Sequence, residues 1–259
     1  MPLPNLEPVA EKIRKAARLT ILTGAGVSAA SGVPTFRGAQ GLWRQFRPED
    51  LANIEAFRRD PVLVWEWYAW RRERMAPCQP NAAHEVLARW SQREGCAVVT
   101  QNVDDLHIRA GTRHLTRLHG SLWELRCTSA APHGAGRARS ARASCQHSWR
   151  DERVPLPEIP PRCPQCGELA RPDIVWFGET LRQVDVDAAT AAARCDLFIT
   201  AGTSALVYPA AGLVHEARRA GAVTVEINPE ATPASSVVDE VLAGRAEEIL
   251  PALDLLVRS

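Results

Sequence analysis

Gly24, Gly26 and Gly32 share one short loop that ends in Pro34-Thr35-Phe36-Arg37-Gly38. Without a Cβ, these glycines let backbone approach a phosphate closely. Arg37 adds a fixed cation whose fork fits phosphate oxygens, and Phe36 adds a flat apolar face. These residue types suggest a dinucleotide held with something reactive beside an aromatic ring. The fingerprint of ordinary hydride-transfer enzymes, G-x-G-x-x-G, is not met, because Ala29 stands where the third glycine belongs. Hydride transfer is therefore the weakest of the readings.

Cys163-Pro-Gln-Cys166-Gly167 is a metal-binding knuckle. Two intervening residues bring both sulfurs onto one ion, and the glycine allows the turn. The partner pair is stretched, since Cys127 and Cys145 are separated by 17 residues. The segment 130–144, with Arg137, Arg139 and Arg142 and no acid, reads as an insertion between two ligands. The four cysteines predict a closed, structural zinc site. A degenerate site, with only the second pair intact or with His133 or His147 substituting, is the alternative. The lobe has no basic-aromatic surface for nucleic acid beyond three loop arginines.

The elements that must position these groups follow from periodicity. Residues 6–18 read as an amphipathic helix, Arg18–Thr23 as a buried strand, and 50–75 as helical. Asn81–Glu94 is a helix stopped by Gly95. Cys96–Thr100 is a strand that delivers Gln101-Asn102-Val103-Asp104. Leu197–Thr200 is a strand that delivers Gly202-Thr203-Ser204, followed by a helix to about Ala220, and Val223–Ile227 is a strand ending at Asn228. Strands alternating with helices predict an α/β fold: a Rossmann-like, doubly wound parallel sheet with ligands beyond the carboxyl ends of its strands. The Pro-, Cys- and Arg-rich stretch 122–176 is read as a small inserted zinc-binding lobe. The dinucleotide domain is then discontinuous, 1–121 and 177–259.

The composition is that of an ordinary globular chain, 46% apolar and 24% charged over 259 residues. A net charge of +1 gives no bulk electrostatic case for nucleic acid or membrane partners. The charged N-terminus lacks a signal-peptide core, and the uncharged run Leu197–Val214 fits a strand and phosphate loop better than a span. The expectation is a cytoplasmic protein whose seven cysteines form no disulfides.

Taken in order, Gly24–Gly38, Thr100–Asp104, His119-Gly120, the cysteine lobe, Val175-Trp176-Phe177-Gly178-Glu179 and Gly202-Thr203-Ser204 resemble the sirtuin family along nearly the whole chain. The resemblance implies an NAD-dependent protein-lysine deacylase that consumes NAD as a co-substrate. In that family the carbonyl oxygen of an acyl-lysine attacks the ribose C1′, nicotinamide leaves, and the acyl group migrates to the ribose. His119 looks like the proton acceptor, since a neutral imidazole can take a hydroxyl proton at neutral pH. Asn102 and Asp104 look like the nicotinamide pocket, an amide and a carboxylate that together meet the carboxamide's donors and acceptor. Gln101 reaches the ribose, and Phe36 shields the reactive sugar from water. Gly24, Ala25, Gly26, Ser28, Ala29, Thr35, Arg37, Trp43, Val103, Gly202, Thr203 and Ser204 complete the NAD site. Asn228, Pro229, Glu230 and Ala246 line its adenosine end. Val175, Trp176 and Phe177 pair with the substrate peptide as an added strand.

Trp67-Tyr68-Ala69-Trp70-Arg71 bears on the acyl group. Tyr68 and Arg71, three apart on a helix, share a face and could clamp a carboxylate. This resembles the Tyr-x-x-Arg signature of sirtuins that prefer succinyl, malonyl or glutaryl lysine, with the helical segment 45–75 contributing to the acyl pocket. Ala39 leaves room for the longer chain. The plainer reading is an amphipathic helix with Arg71 and Arg72 in water. Two further functions stay open: a mono-ADP-ribosyltransferase on the same site, and an NAD or ADP-ribose binding module without catalysis.

Overall fold

The structure, a computed structural model, describes residues 4–34, 46–129 and 145–259. Six parallel strands form the main sheet in the order β3-β2-β1-β7-β8-β9: β1 (Leu19–Thr23), β2 (Cys96–Thr100), β3 (Leu115–Arg117), β7 (Leu197–Ala201), β8 (Val223–Asn228) and β9 (Glu240–Ala243). The order reverses direction between β1 and β7, so a cleft opens between the loops that leave their carboxyl ends. Both strands are buried along their whole length, which is why they read as continuous apolar runs.

Helices cover both faces. On one side α1 (Glu7–Lys15), α6 (Ala82–Trp90) and α10 (Ala246–Arg258) bury Ile13, Leu87 and Leu253 against Ile21, Val98, Ile199 and Val225. On the other, α8 (Gln183–Ala193) and α9 (Leu213–Arg219) pack around Leu22, Val99 and Phe198.

A second sheet is antiparallel, β5-β4-β6, made of β4 (Gly120–Cys127), β5 (Ser148–Arg150) and β6 (Ala170–Ile174). It shares a core with α3 (Pro48–Leu51), α4 (Ile54–Arg59) and α5 (Pro61–Met75), in which Val64, Trp65, Trp67 and Tyr68 meet Leu122, Trp123, Leu125 and Trp176. The helical stretch is therefore three helices. Asn53 caps α4 by accepting from Ala56 N–H at 2.7 Å, and Asp60 caps α5 by accepting from Leu63 N–H at 2.9 Å, with Pro61 opening it. The strands β4, β6 and β9 and the helices α8 and α10 extend beyond the elements expected from periodicity.

Candidate active site

The cleft floor is built by two loops that touch. Gly24 follows β1 and leads into the short helix α2 (Ala25–Ser28), while Gly202 follows β7. A Cβ on Gly24 would lie 2.8 Å from the Gly202 carbonyl oxygen, and one on Gly26 would lie 2.8 Å from the Gly202 Cα. A Cβ on Gly202, at φ +57°, would lie 2.5 Å from the Val27 nitrogen. The packing of one loop on the other thus also requires these glycines, beside any approach of a phosphate. Gly32 serves differently. It ends a short 3-10 turn at φ +83°, where an added Cβ would have Cys78 Sγ as its nearest neighbour at 3.9 Å. Ala25, Ala29 and Ser204 are open or half-open on this floor.

Gln101 extends from β2 across the cleft, and its Nε2 donates to Thr203 Oγ1 at 2.8 Å. Asn228, at the end of β8, donates to the Thr203 carbonyl at 3.1 Å. Pro229 and Glu230 are exposed beyond it, whereas Ala246 is buried in the core at the start of α10 and offers only backbone to a ligand.

Asn102 and Asp104 are buried side by side with Ser28. The Asn102 amide nitrogen donates to the Gly24 carbonyl at 3.0 Å and to Ser28 Oγ at 3.1 Å, which leaves Oδ1 as its presented group. Asn102 therefore presents an acceptor. Burial pushes the Asp104 carboxyl above the ordinary carboxylate range, opposed by hydrogen bonds from Leu106 N–H and Ser28.

Sequence reasoning missed the groups behind this pair. Asn81 N–H donates to His84 Nδ1 at 3.3 Å, so the proton sits on His84 Nε2, which meets Ser28 Oγ at 3.3 Å. The His107 ring lies 4.8 Å from the His84 ring, and its Nε2 is 2.9 Å from Thr23 Oγ1. Burial lowers His84 to about 4 and His107 to about 3, so both are neutral at pH 7. The signal available for His107 was its place three residues after Asp104. Nothing in the sequence marked His84.

His119 is half-buried at the start of the crossing from β3 to β4. Its Nδ1 is 2.9 Å from the Gln101 carbonyl oxygen. Burial lowers its pKa, and the bond to Gln101 raises it against that trend.

Tyr68 and Arg71 are brought together. Tyr68 is fully buried and accepts from the Trp176 indole N–H at 2.8 Å. The Arg71 guanidinium lies 5.0 Å from the Trp67 ring centroid and 5.6 Å from that of Tyr68. Arg71 is 7% exposed and Arg72 1%, so neither stands in water as an amphipathic helix would require. Arg72 instead pairs with Asp151 at 3.3 Å. Desolvation lowers the Arg71 pKa, with Tyr68 and Asp104 acting in the opposite sense.

The segment after β6 departs from a free edge. Val175 N–H donates to the His119 carbonyl, Trp176 N–H to the Glu179 carboxylate and Phe177 N–H to the Ala52 carbonyl. The Trp176 carbonyl in turn accepts from the Glu179 N–H at 2.9 Å, so both main-chain groups of Trp176 are engaged. The Trp176 side chain is buried while Phe177 is 49% exposed.

Cys127, Cys145, Cys163 and Cys166 converge, with all four sulfurs within 4.8 Å of one another. Sγ separations are 3.4 Å for Cys127–Cys166 and 3.7 Å for Cys145–Cys163. Tetrahedral zinc with bonds of about 2.3 Å spaces thiolates by roughly 3.8 Å, so the four-thiolate set fits that ion. Gly167, at φ +74°, makes the turn and donates to the Cys163 carbonyl at 2.9 Å. The stretched first pair closes normally. His147 stacks on Trp149 at 5.1 Å outside the thiol group, and His133 lies outside the described residues. None of the seven cysteines is paired in a disulfide.

Thr35, Phe36, Arg37, Ala39 and Trp43 also lie outside the described residues. Among the described residues, no helix is long and apolar enough to cross a membrane.

Residues 24–209 match the model of the Sir2 family. An Archaeoglobus fulgidus protein named NAD-dependent protein deacylase 1 is 45% identical over 95% of this chain and 96% of its own. A Pyrococcus furiosus NAD-dependent protein deacylase is 43% identical over 96% of each. Among solved structures, a complex of a Sir2 homologue with NAD superposes with a TM-score of 0.87 at 44% identity, covering 97% of this chain and 93% of that one. A Sir2–p53 peptide–NAD+ complex gives 0.82 at 29% identity, covering 96% and 97%. With its parallel sheet, paired glycine loops and four-cysteine lobe in the matching order, the chain belongs to the Sir2 family.

Proposed function

We propose that this chain is an NAD-dependent protein-lysine deacylase that removes succinyl and malonyl groups in preference to acetyl. Relatives bearing the deacylase name match along nearly the whole length. The observation that carries the reaction is the meeting of His119, Gln101 and the Asn102–Asp104 pair at the carboxyl ends of β2 and β3, beside the interlocked glycine loops.

NAD supplies a glycosidic bond that loses nicotinamide to leave an electrophilic C1′ for the acyl-lysine carbonyl oxygen. The chain's own groups do the rest. The amino end of α2, with Gly24, Ala25, Gly26 and Ala29, and Ser204 across the cleft face the phosphates, joined by Thr35 and Arg37. Asn102 Oδ1 and the Asp104 carboxylate take the N–H groups of the carboxamide, with Val103 between them. Gln101, held by Thr203, faces the ribose, while Phe36 and Trp43 exclude water. His119, protonated on Nδ1, accepts a ribose hydroxyl proton on Nε2. Asn228, Pro229, Glu230 and the backbone of Ala246 line the adenosine end. The segment from Val175 to Phe177 meets the peptide. Zinc on the four cysteines is structural and closes the lobe.

The acyl preference rests on the buried guanidinium of Arg71 beside the Tyr68 phenol, with Ala39 giving room for the chain. A carboxylate there gains a charge-assisted, bidentate partner in a site shielded from water. A cytoplasmic location goes with seven cysteines none of which is paired in a disulfide.

The test is a panel of acetyl, malonyl, succinyl and glutaryl peptides incubated with NAD, with nicotinamide and 2′-O-acyl-ADP-ribose followed by mass spectrometry. Release of nicotinamide with loss of acyl mass from the peptide is the expected result. ADP-ribose added to the protein, or no nicotinamide at all, overturns it.

A further inference from the structure

Asp105 sits at the foot of the turn that carries Asn102 and Asp104, and it is unusual there in three respects. Its φ is +62°, a left-handed conformation uncommon for a residue with a Cβ. It occupies the N-cap of α7 (Leu106–Arg109), yet its side chain makes no cap bond, while the neighbouring Asp104 accepts from the Leu106 N–H. Its carboxylate is fully buried and held by arginines from both sheets. Arg150 Nη1 lies 2.7 Å from Oδ2 and Arg117 Nη1 lies 3.4 Å from Oδ1.

Arg117 ends β3 of the parallel sheet and Arg150 ends β5 of the antiparallel one. Each is steadied by its own carboxylate, Glu124 on Arg117 at 2.8 Å and Glu152 on Arg150 at 2.7 Å. Glu124 and Arg150 are also cross-strand neighbours on β4 and β5. The same turn is gripped by the small sheet through its main chain. Leu122 N–H donates to the Val103 carbonyl at 2.9 Å, and the Trp123 indole N–H donates to the Asp104 carbonyl at 3.1 Å. A buried carboxylate that gives up the cap it is placed to make, in a backbone conformation glycine would adopt more readily, is there for its ion pairs.

We propose that Asp105 is a positioning residue. Its bridge to Arg117 and Arg150 fixes the turn so that Asn102 Oδ1 and the Asp104 carboxylate face the nicotinamide carboxamide. The inference rests on the reading of that pair as the nicotinamide pocket. It places the control of nicotinamide grip at the junction of the two sheets, outside the pocket itself. Peptide binding, which uses the segment after β6, is independent of it.

Three variants separate the effects. Asp105→Asn keeps the shape and the tolerance of a left-handed φ but removes the charge. Asp105→Gly relaxes the backbone and deletes the bridge. Arg150→Gln removes one arm from a side chain that is 40% exposed, without touching the turn. In the steady state, Asp105→Asn and Asp105→Gly are expected to raise KM for NAD and the inhibition constant of free nicotinamide roughly tenfold, the scale of one charge-assisted hydrogen bond. Arg150→Gln is expected to raise both several-fold, and KM for acyl peptide stays at the wild-type value in all three. A purely structural role lowers Tm while leaving nicotinamide inhibition of the folded enzyme unmoved, and that result overturns the proposal. If the Asp105 variants fail to fold, Arg150→Gln decides, and an unchanged nicotinamide constant there also overturns it. A wild type that cleaves no NAD removes the pocket reading and the bridge together. A wild type that cleaves NAD beside indistinguishable variants removes the bridge alone.

Discussion

His119 Nδ1 lies 2.9 Å from the main-chain carbonyl oxygen of Gln101. A carbonyl only accepts, so the neutral ring carries its proton on Nδ1 and its lone pair on Nε2. The tautomer is set by backbone and is indifferent to side-chain changes around it. Gln101 thereby contributes twice, with its carbonyl to the imidazole and with its amide to Thr203.

The pH profile follows from that burial. The neutral imidazole is the proposed base, and burial places its pKa below the ordinary 6.5. The base therefore stays deprotonated to lower pH than a free histidine would. The acid limb of kcat/KM, measured between about pH 5 and 8, is expected to have its midpoint below the ordinary histidine value. His119→Ala is expected to cost about a hundred- to ten-thousandfold in kcat. An acid midpoint above the ordinary value, or full activity in the variant, contradicts the assignment.

Arg71→Met keeps the volume on α5 and removes the cation. Losing a charge-assisted bond of about 1.5–3 kcal/mol corresponds to roughly 10- to 150-fold. Succinyl and malonyl turnover is expected to fall by that factor while acetyl turnover changes little. Equal loss on both substrates means that Arg71 supports the fold and does not read the acyl group.

Gly202→Ala is expected to destabilise the protein by at least about 1–2 kcal/mol for the left-handed backbone alone. The 2.5 Å approach of the new Cβ to the Val27 nitrogen adds to this and pushes the two loops apart. Chemical denaturation and KM for NAD read the two effects, and both are expected to worsen.

Zinc should be present at about one equivalent per chain. Cys163→Ser is expected to abolish it and to lower Tm on the order of 10 °C. Metal analysis and a thermal melt on the same sample check this. A chain that retains zinc and Tm after the change does not use the four-thiolate site.

Acid should unfold the protein through His84 and His107. Both have folded pKa values below the unfolded one, about 4 and about 3 against 6.5. The unfolded chain therefore binds more protons below pH 6.5, and the stability these groups carry above that value is lost as pH falls toward 4 and 3. The slope is about 1.4 kcal/mol per pH unit for each histidine in that window. Urea midpoints at pH 7, 6 and 5 measure it, and His107→Gln should flatten the curve.

The loops that carry the chemistry were legible because their residue types are restricted. Glycines at backbone contacts, a Cys-x-x-Cys-Gly knuckle and polar residues at strand ends leave few alternatives. The strand β4 was not legible, since its residues are buried on both faces and show no alternation. The helix α8 hid because Val184 points to water at 70% exposure and its buried side is alanine. The boundaries within residues 48–75 were present as Asn53 and as Asp60-Pro61, signals that a continuous helical pattern overrides. The Asn102 amide shows the deeper limit. Residue type told that it could donate and accept, and only its neighbours Gly24 and Ser28 determined which face is left.

Gly24, Gly26 and Gly202 weld two loops from adjacent strands into one rigid slab, main chain against main chain. Apart from Thr203, whose Cβ lies 2.8 Å from where a Gly24 Cβ would sit, that seam is main chain, so the two loops have little freedom to drift. The residues proposed to read the acyl group are, by contrast, side chains of α5. New acyl chemistries in descendants of this chain should therefore arise around Trp67, Tyr68 and Arg71, while the slab beneath them is inherited intact.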